Sequence, residues 1–303
     1  MKTLILIGNG YDVAMSYKTR YSDFIGSTYF PNKIKNSLCE YISDASKRHE
    51  KWIDLEMELY DYSLELTSRY GDHGREAEIE ARKFKTEYEE LRKALNSYIN
   101  YANSSISVDS DGSRNINSLD SLFFDWIETS QNRTVDVISF NYTRTLENKR
   151  FQNYIQRLQI HGCINFQPKE DNIVLGIDES MKVSSLHSFL NKSLSDNIKN
   201  IDFPKLVLNA ERYIVFGSSL GKTDDWYYKK IFNRDQKGKV FEIYYYGVEE
   251  KDSIKSRIFE LTGSNNDFNQ TNKLQLYDSS DLQEAIESER RFYNSLQRNK
   301  TAD

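Results

Sequence analysis

Four apolar runs in this chain each stop abruptly at residues with chemistry to offer. Leu4-Ile5-Leu6-Ile7 runs into Gly8-Asn9-Gly10. Thr134-Val135-Asp136-Val137-Ile138-Ser139-Phe140 runs into Asn141-Tyr142-Thr143, and Leu158-Gln159-Ile160 into His161-Gly162. Arg212-Tyr213-Ile214-Val215-Phe216 runs into Gly217-Ser218-Ser219. Short runs rich in Ile, Val and Leu read as strands buried on both faces, as parallel sheets require. Ile173-Val174-Leu175-Gly176 and Val240-Phe241-Glu242-Ile243-Tyr244-Tyr245-Tyr246 extend the series. Strands alternating with helical stretches predict an α/β fold with a Rossmann-like, largely parallel sheet flanked by helices. Ligands of such sheets sit beyond the carboxyl ends of the strands. The four strand-end stretches therefore predict one composite site.

The 303 residues divide by pattern. Residues 1–30 and 131–250 carry the α/β core, and residues 31–130 read as an α-helical insertion after the first βα unit. Residues 251–303 read as a helical, polar tail packing on the core through Ile254, Ile258 and Leu261. Within the insertion, Phe84, Tyr88, Leu91, Leu95 and Tyr98 recur at three- and four-residue steps and define one apolar helix face. The charged opposite face suits solvent, a second copy of the chain or a partner protein. The Ser-, Asp- and Asn-rich stretch 103–118 reads as a loop.

The net charge of −5 argues against a mainly electrostatic nucleic-acid binder. Two cysteines, Cys39 and Cys163, cannot supply a cysteine metal cluster. No stretch approaches the ~20 apolar residues of a membrane helix, so a cytoplasmic protein is expected.

At the strand ends, Gly8-Asn9-Gly10 is either a tight βα turn or a phosphate cradle at a helix N-terminus. The polar stretch from Lys18 to Phe24 enters a helix that Ser22 or Asp23 could cap, or forms a lid over that turn. His161 is a candidate general base. Asn141 offers both a donor and an acceptor to a water or a ribose hydroxyl, or begins an Asx turn. Ser218 and Ser219 either cap a helix or bind ribose or phosphate. Asp178, Asp224 and Asp225 admit a divalent-metal reading, although adjacent carboxylates converge poorly on one ion. No P-loop motif is present.

Ile7-Gly8-Asn9-Gly10-Tyr11-Asp12, Trp52-Ile53-Asp54-Leu55-Glu56, Phe140-Asn141-Tyr142-Thr143, Ile160-His161-Gly162 and Phe216-Gly217-Ser218-Ser219-Leu220-Gly221-Lys222-Thr223-Asp224 occur in this order. Together they resemble the bacteriophage abortive infection family AbiH, which implies a bacterial anti-phage defence protein. More distantly, the order is similar to sirtuin-like NAD-binding domains. That similarity implies that Gly8, Asn9 and Gly10 hold phosphate, with Asp12 orienting the turn. It implies that Asn141 and His161 are catalytic, flanked by Tyr142 and Gly162, and that Gly217, Ser218 and Ser219 contact ribose. Tyr21-Ser22-Asp23-Phe24 resembles the sirtuin cofactor loop. The four-cysteine zinc module of sirtuin deacetylases is missing, and position 143 is Thr where NAD-hydrolysing relatives often carry Asp.

The sequence thus leads to an expectation: a phage-defence protein that binds NAD as substrate or ligand, without a metal, and hydrolyses its nicotinamide N-glycosidic bond. The phage trigger is unspecified. Two other classes remain open. One is a nucleotide-binding sensor without chemistry, signalling through the insertion. The other is a metal-dependent nuclease using Asp178, Asp224 or Asp225. Glu56 has no role beyond a polar contact from the insertion.

Overall fold

The protein is described here from a computed structural model that covers residues 1–14, 17–48, 53–105, 118–143, 154–162, 173–194, 203–233, 235–263 and 267–280. The expected helix near Leu146, together with Trp52, Cys163 and the chain after residue 280, lies outside the described residues. Among those described, no helix is long and apolar enough to cross a membrane.

Among the described residues, six strands form one sheet: β1 (Thr3–Ile7), β2 (Val135–Ser139), β3 (Ile155–Gln159), β4 (Arg212–Phe216), β5 (Val240–Tyr245) and β6 (Lys273–Asp278). Every pairing is parallel, and the order across the sheet is β3-β2-β1-β4-β5-β6. This is the doubly wound Rossmann order, with its topological switch between β1 and β4.

Period-two alternation sends the strand side chains to two faces. Leu4, Leu6, Ile138, Tyr213, Val215, Phe241 and Ile243 point to one face. There they meet α7 (Phe203–Asn209), α8 (Asp225–Ile231) and α9 (Val248–Leu261) through residues such as Phe203, Tyr228 and Ile258. Ile5, Ile7, Val137, Ile214, Phe216 and Tyr244 point to the other. They pack on Tyr11 of α1 (Asn9–Ala14) and on Leu122, Phe123 and Trp126 of α6 (Ser118–Thr129). Coverage on both faces explains why the strands read as apolar runs.

Within residues 31–130, α3 (Ser37–Arg48), α4 (Leu55–Tyr70) and the long α5 (Arg75–Ser105) build a third core, whereas α6 belongs to the cover of the sheet. The apolar face read from Phe84, Tyr88, Leu91, Leu95 and Tyr98 is buried there. So is Phe24 of α2 (Tyr21–Ile25). Cys39 is a buried free thiol in this core, pushed up to about 12 by burial and so kept unreactive.

Two sequence expectations are corrected. The tail after Lys251 is not wholly helical, because β6 follows α9 and α10 (Asp267–Thr271) and forms an edge of the sheet. As an edge strand it alternates Leu274 and Leu276 with polar residues, so it lacks the apolar run that marks the inner strands. Residues 173–176 do not form a strand. Side chains take their carbonyls instead of a neighbouring strand: Arg92 bonds Ile173, Tyr142 bonds Val174 and Tyr88 bonds Leu175.

At the switch point the turns after β1 and β4 meet backbone to backbone. The Gly8 N–H donates to the Phe216 carbonyl at 2.9 Å and the Gly10 N–H to the Gly217 carbonyl at 2.8 Å. A Cβ on Gly217 would lie 2.4 Å from the Tyr11 nitrogen, and its φ is +66°. Gly238 shares the positive φ, at +69°, but a Cβ there would meet nothing within 4 Å. Gly238→Ala is therefore expected to cost only the left-handed backbone, about 1–2 kcal/mol. Gly217→Ala adds an overpacking term of about 1–3 kcal/mol or more. Urea unfolding of the two variants should separate these costs, and equal losses would refute the close approach as the reason for Gly217.

Candidate functional site

Beyond the carboxyl ends of β2 and β3, four ionisable side chains from four parts of the chain meet. His161 follows β3 by two residues, and its Nε2 lies 2.8 Å from Asp224 Oδ1. Asp224 ends a short 3-10 turn, Lys222–Asp224, just before α8. Lys192, from a second short turn (Lys192–Leu194), points its ammonium at the same oxygen at 2.7 Å. It also donates to Glu56 Oε2 at 2.8 Å and to the Thr223 carbonyl at 3.1 Å. Glu56 comes from the first turn of α4, and its other oxygen accepts the Gly176 N–H at 3.2 Å. All four side chains are buried.

Burial alone would push Asp224 up, but the charges and hydrogen bonds of His161 and Lys192 hold it well below the usual carboxylate range. Burial would lower Lys192. Asp224 and Glu56 outweigh it and raise the ammonium above its ordinary value. Asp224 and Lys192 are therefore a locked ion pair. The same Nε2 lies 3.4 Å from Lys192 Nζ, so Nδ1 is the ring nitrogen left to face a ligand. Phe140 and Tyr142 both pack against the imidazole, at ring separations of 5.6 and 6.0 Å.

Asn141 differs from its neighbours. Its backbone is anchored: the N–H donates to Ser139 Oγ at 3.2 Å, and the carbonyl accepts Gln159 Nε2 at 3.3 Å. Yet among the described residues neither Oδ1 nor Nδ2, both buried, has a hydrogen-bond partner, in a residue only 4% exposed. Leaving such groups unpaired costs about 1–3 kcal/mol each. A group of this kind calls for a functional explanation.

The other site residues read from the sequence fall into distinct places. The Gly8 and Gly10 N–H groups are spent on the β4 turn, as described. Asn9 bonds the hydroxyl and carbonyl of Thr19 at 2.7 and 3.2 Å. Asp12 is fully buried and accepts the Thr143 hydroxyl at 2.6 Å, so a carboxylate does stand beside position 143. In the expected cofactor loop, Ser22 is exposed, Asp23 accepts the Arg20 N–H at 3.1 Å as a helix cap, and Phe24 is core. The residue of that loop that reaches the cluster is Tyr21, hydrogen-bonded to Tyr142. Gly162 follows His161 with φ +78°. Ser218 Oγ lies 2.6 Å from the Tyr228 hydroxyl and accepts the Leu220 N–H, and Ser219 is exposed.

The three aspartates of the nuclease alternative diverge. Asp178 accepts from Ser180 and the Trp226 N–H, Asp224 from His161 and Lys192, and Asp225 pairs with Arg257 and Lys229. Among the described residues, no three His, Cys, Asp or Glu side chains gather as a metal site requires.

Sequence reasoning did not find Lys192, which lies in an unremarkable Asn-Lys-Ser stretch. Glu56 and Asp224 stood inside quoted motifs, and the motifs were the available signal. The family model described as Bacteriophage abortive infection AbiH matches residues 4–246, a span that includes the whole cluster. No curated protein and no solved structure gives a significant match.

Two substitutions should separate what holds the fold from what awaits a ligand. Lys192→Met strands two buried carboxylates and is expected to cost about 3–5 kcal/mol. Asn141→Ala removes two unpaired groups and is expected to leave urea stability within about 1 kcal/mol of wild type, or above it.

Proposed function

The chain belongs to the bacteriophage abortive infection AbiH family, and from that premise we propose that it defends its host by binding NAD or a related nucleotide and hydrolysing the nicotinamide N-glycosidic bond. The observation that carries this reading is the buried, unpartnered amide of Asn141, two residues past the end of β2, the strand paired with the one that leads into His161. A donor and an acceptor held ready together suit a ribose hydroxyl and a water, which are what this reaction must position.

The chemistry asks little else of the protein. Nicotinamide departs from C1′ as a neutral molecule, so its departure needs no general acid. The transition state has oxocarbenium character, as in glycoside cleavage. A site walled by Phe140, Tyr142 and Tyr228 excludes bulk water from that centre. Asn141 and His161 Nδ1 then orient the ribose and the single attacking water, while Asp224 holds the imidazole at Nε2.

The same enclosure favours a second reading, a sensor that binds the nucleotide without chemistry. His161 and Asn141 are 5% and 4% exposed, so a ligand must displace part of the surround to reach them.

The test is nicotinamide release from NAD by purified protein at high concentration, beside His161→Ala. Release by the wild type, reduced about 10²–10⁴-fold in the variant, is expected. In that variant Asp224 keeps its Lys192 partner, so the fold should persist. Near-normal cleavage by His161→Ala would remove the site assignment, and NAD binding without product would favour the sensor.

A further inference from the structure

We propose that Asp54, at the N-terminus of α4, is the proton acceptor of this site, taking the proton of the water that attacks the ribose carbon. The proposal rests on the hydrolase reading above and adds to it a residue supplied by the helical insertion.

The geometry fixes one oxygen and frees the other. Asp54 Oδ1 accepts the Glu56 N–H at 3.0 Å and the Met57 N–H at 3.2 Å, capping α4. With that oxygen held, Oδ2 points at the loop after β4: a Cβ built on Gly221 would lie 3.9 Å from it, and 3.9 Å from Ser219 Oγ. No described residue hydrogen-bonds Oδ2. The neighbouring carboxylates have less freedom to accept a proton. Both oxygens of Glu56 are bonded, to Lys192 and to the Gly176 N–H, and Asp224 is locked to Lys192 and His161. Asp54 is also half-buried where those two are buried, which leaves it a route for returning the proton to solvent. The unpartnered amide of Asn141 is an independent sign that this end of the sheet is built for a ligand.

The charges around Asp54 suit the task. Burial pushes it up, and Glu56 on its own helix pushes it further. Asp224 adds to the rise, while the Met57 N–H and Lys192 oppose it, for a value of about 6. The Tyr21 hydroxyl, from α2, also lies within its field. Such a carboxylate is ionised at neutral pH and still a competent base.

The step balances. The water oxygen bonds to C1′ as its proton passes to Asp54 Oδ2. The C1′–N bond breaks, and its electron pair leaves with neutral nicotinamide. The proton then returns from Asp54 to solvent.

Asp54→Asn is the decisive variant, because Asn caps a helix as well as Asp does. Its unfolding midpoint at neutral pH should match or exceed wild type, because the ionised carboxylate it replaces is disfavoured by its surroundings, while kcat falls about 10²–10⁴-fold and KM changes little. Wild-type kcat/KM should fall as pH drops through about 6, where Asp54 takes up its proton, and the residual activity of Asp54→Asn should lack that limb. Formate should restore part of the turnover of Asp54→Ala, which a capping role alone would not allow. Full kcat in Asp54→Asn with the acid limb intact overturns the assignment and leaves the hydrolase reading standing. Absence of nicotinamide release from the wild type overturns both.

Discussion

A buried ammonium ties this molecule together. Lys192 has three N–H donors, and three oxygens receive them: Glu56 from the helical insertion, Asp224 and the Thr223 carbonyl from the segment before α8. An ammonium taken out of water survives only when its donors are met and its charge is balanced. Both conditions hold only if α4 docks against the carboxyl end of the sheet in one position. The position of Glu56 also places Asp54, since the two share the first turn of one helix. The same ammonium pairs with the carboxylate that orients His161. A single side chain thus links the geometry of the insertion to the geometry of the candidate chemistry.

A second ion pair shows that this linkage is not merely what buried charges do. Arg212 and Glu242 face each other from β4 and β5 with bonds of 2.9 and 2.7 Å, and both are fully buried. They sit near the amino ends of the strands, away from every strand-end motif. Its two forks satisfy each other, and the Thr129 hydroxyl of α6 takes a further N–H, so the pair ties only the sheet to its own covering helix. The Lys192 cluster instead spans the helical stretch and the carboxyl end of the sheet. There Asp54 shares the first turn of α4 with Glu56.

Much of this was legible in the chain itself. Strands buried on both faces announce themselves as apolar runs, and β1, β2, β4 and β5 were readable for that reason. β6 was not, because an edge strand with Gln275 between its two leucines and Tyr277 after them carries the alternation of a half-exposed strand. Residues 173–176 misled in the opposite direction. Their apolar run is real, but it packs against the insertion, and local sequence does not say which neighbour a buried segment will meet. His161 and Asn141 were found because their strands ended there. Lys192 was not, because its role depends on partners 136 and 32 residues away in the chain. No local pattern encodes a contact of that kind.

The glycine turns carry the sharpest lesson about motifs. Gly-Asn-Gly after a first strand suggests a phosphate cradle, since glycine lets a ligand approach the backbone. Here the body that approaches is the chain itself. Gly8, Gly10 and Gly217 are small because two βα turns cross at the switch point with no room for a Cβ on either. That crossing brings the end of β4 against the start of α1, and the loop from Gly217 to Gly221 then runs toward Asp54. Its backbone is bent again at Leu220, at φ +55°, where the Leu220 carbonyl accepts Arg257 Nε at 2.7 Å. A non-glycine residue in that conformation persists only when its surroundings hold it there. The glycines therefore serve the site by aiming the β4 loop at the insertion, and the groups left to meet a ligand are side chains.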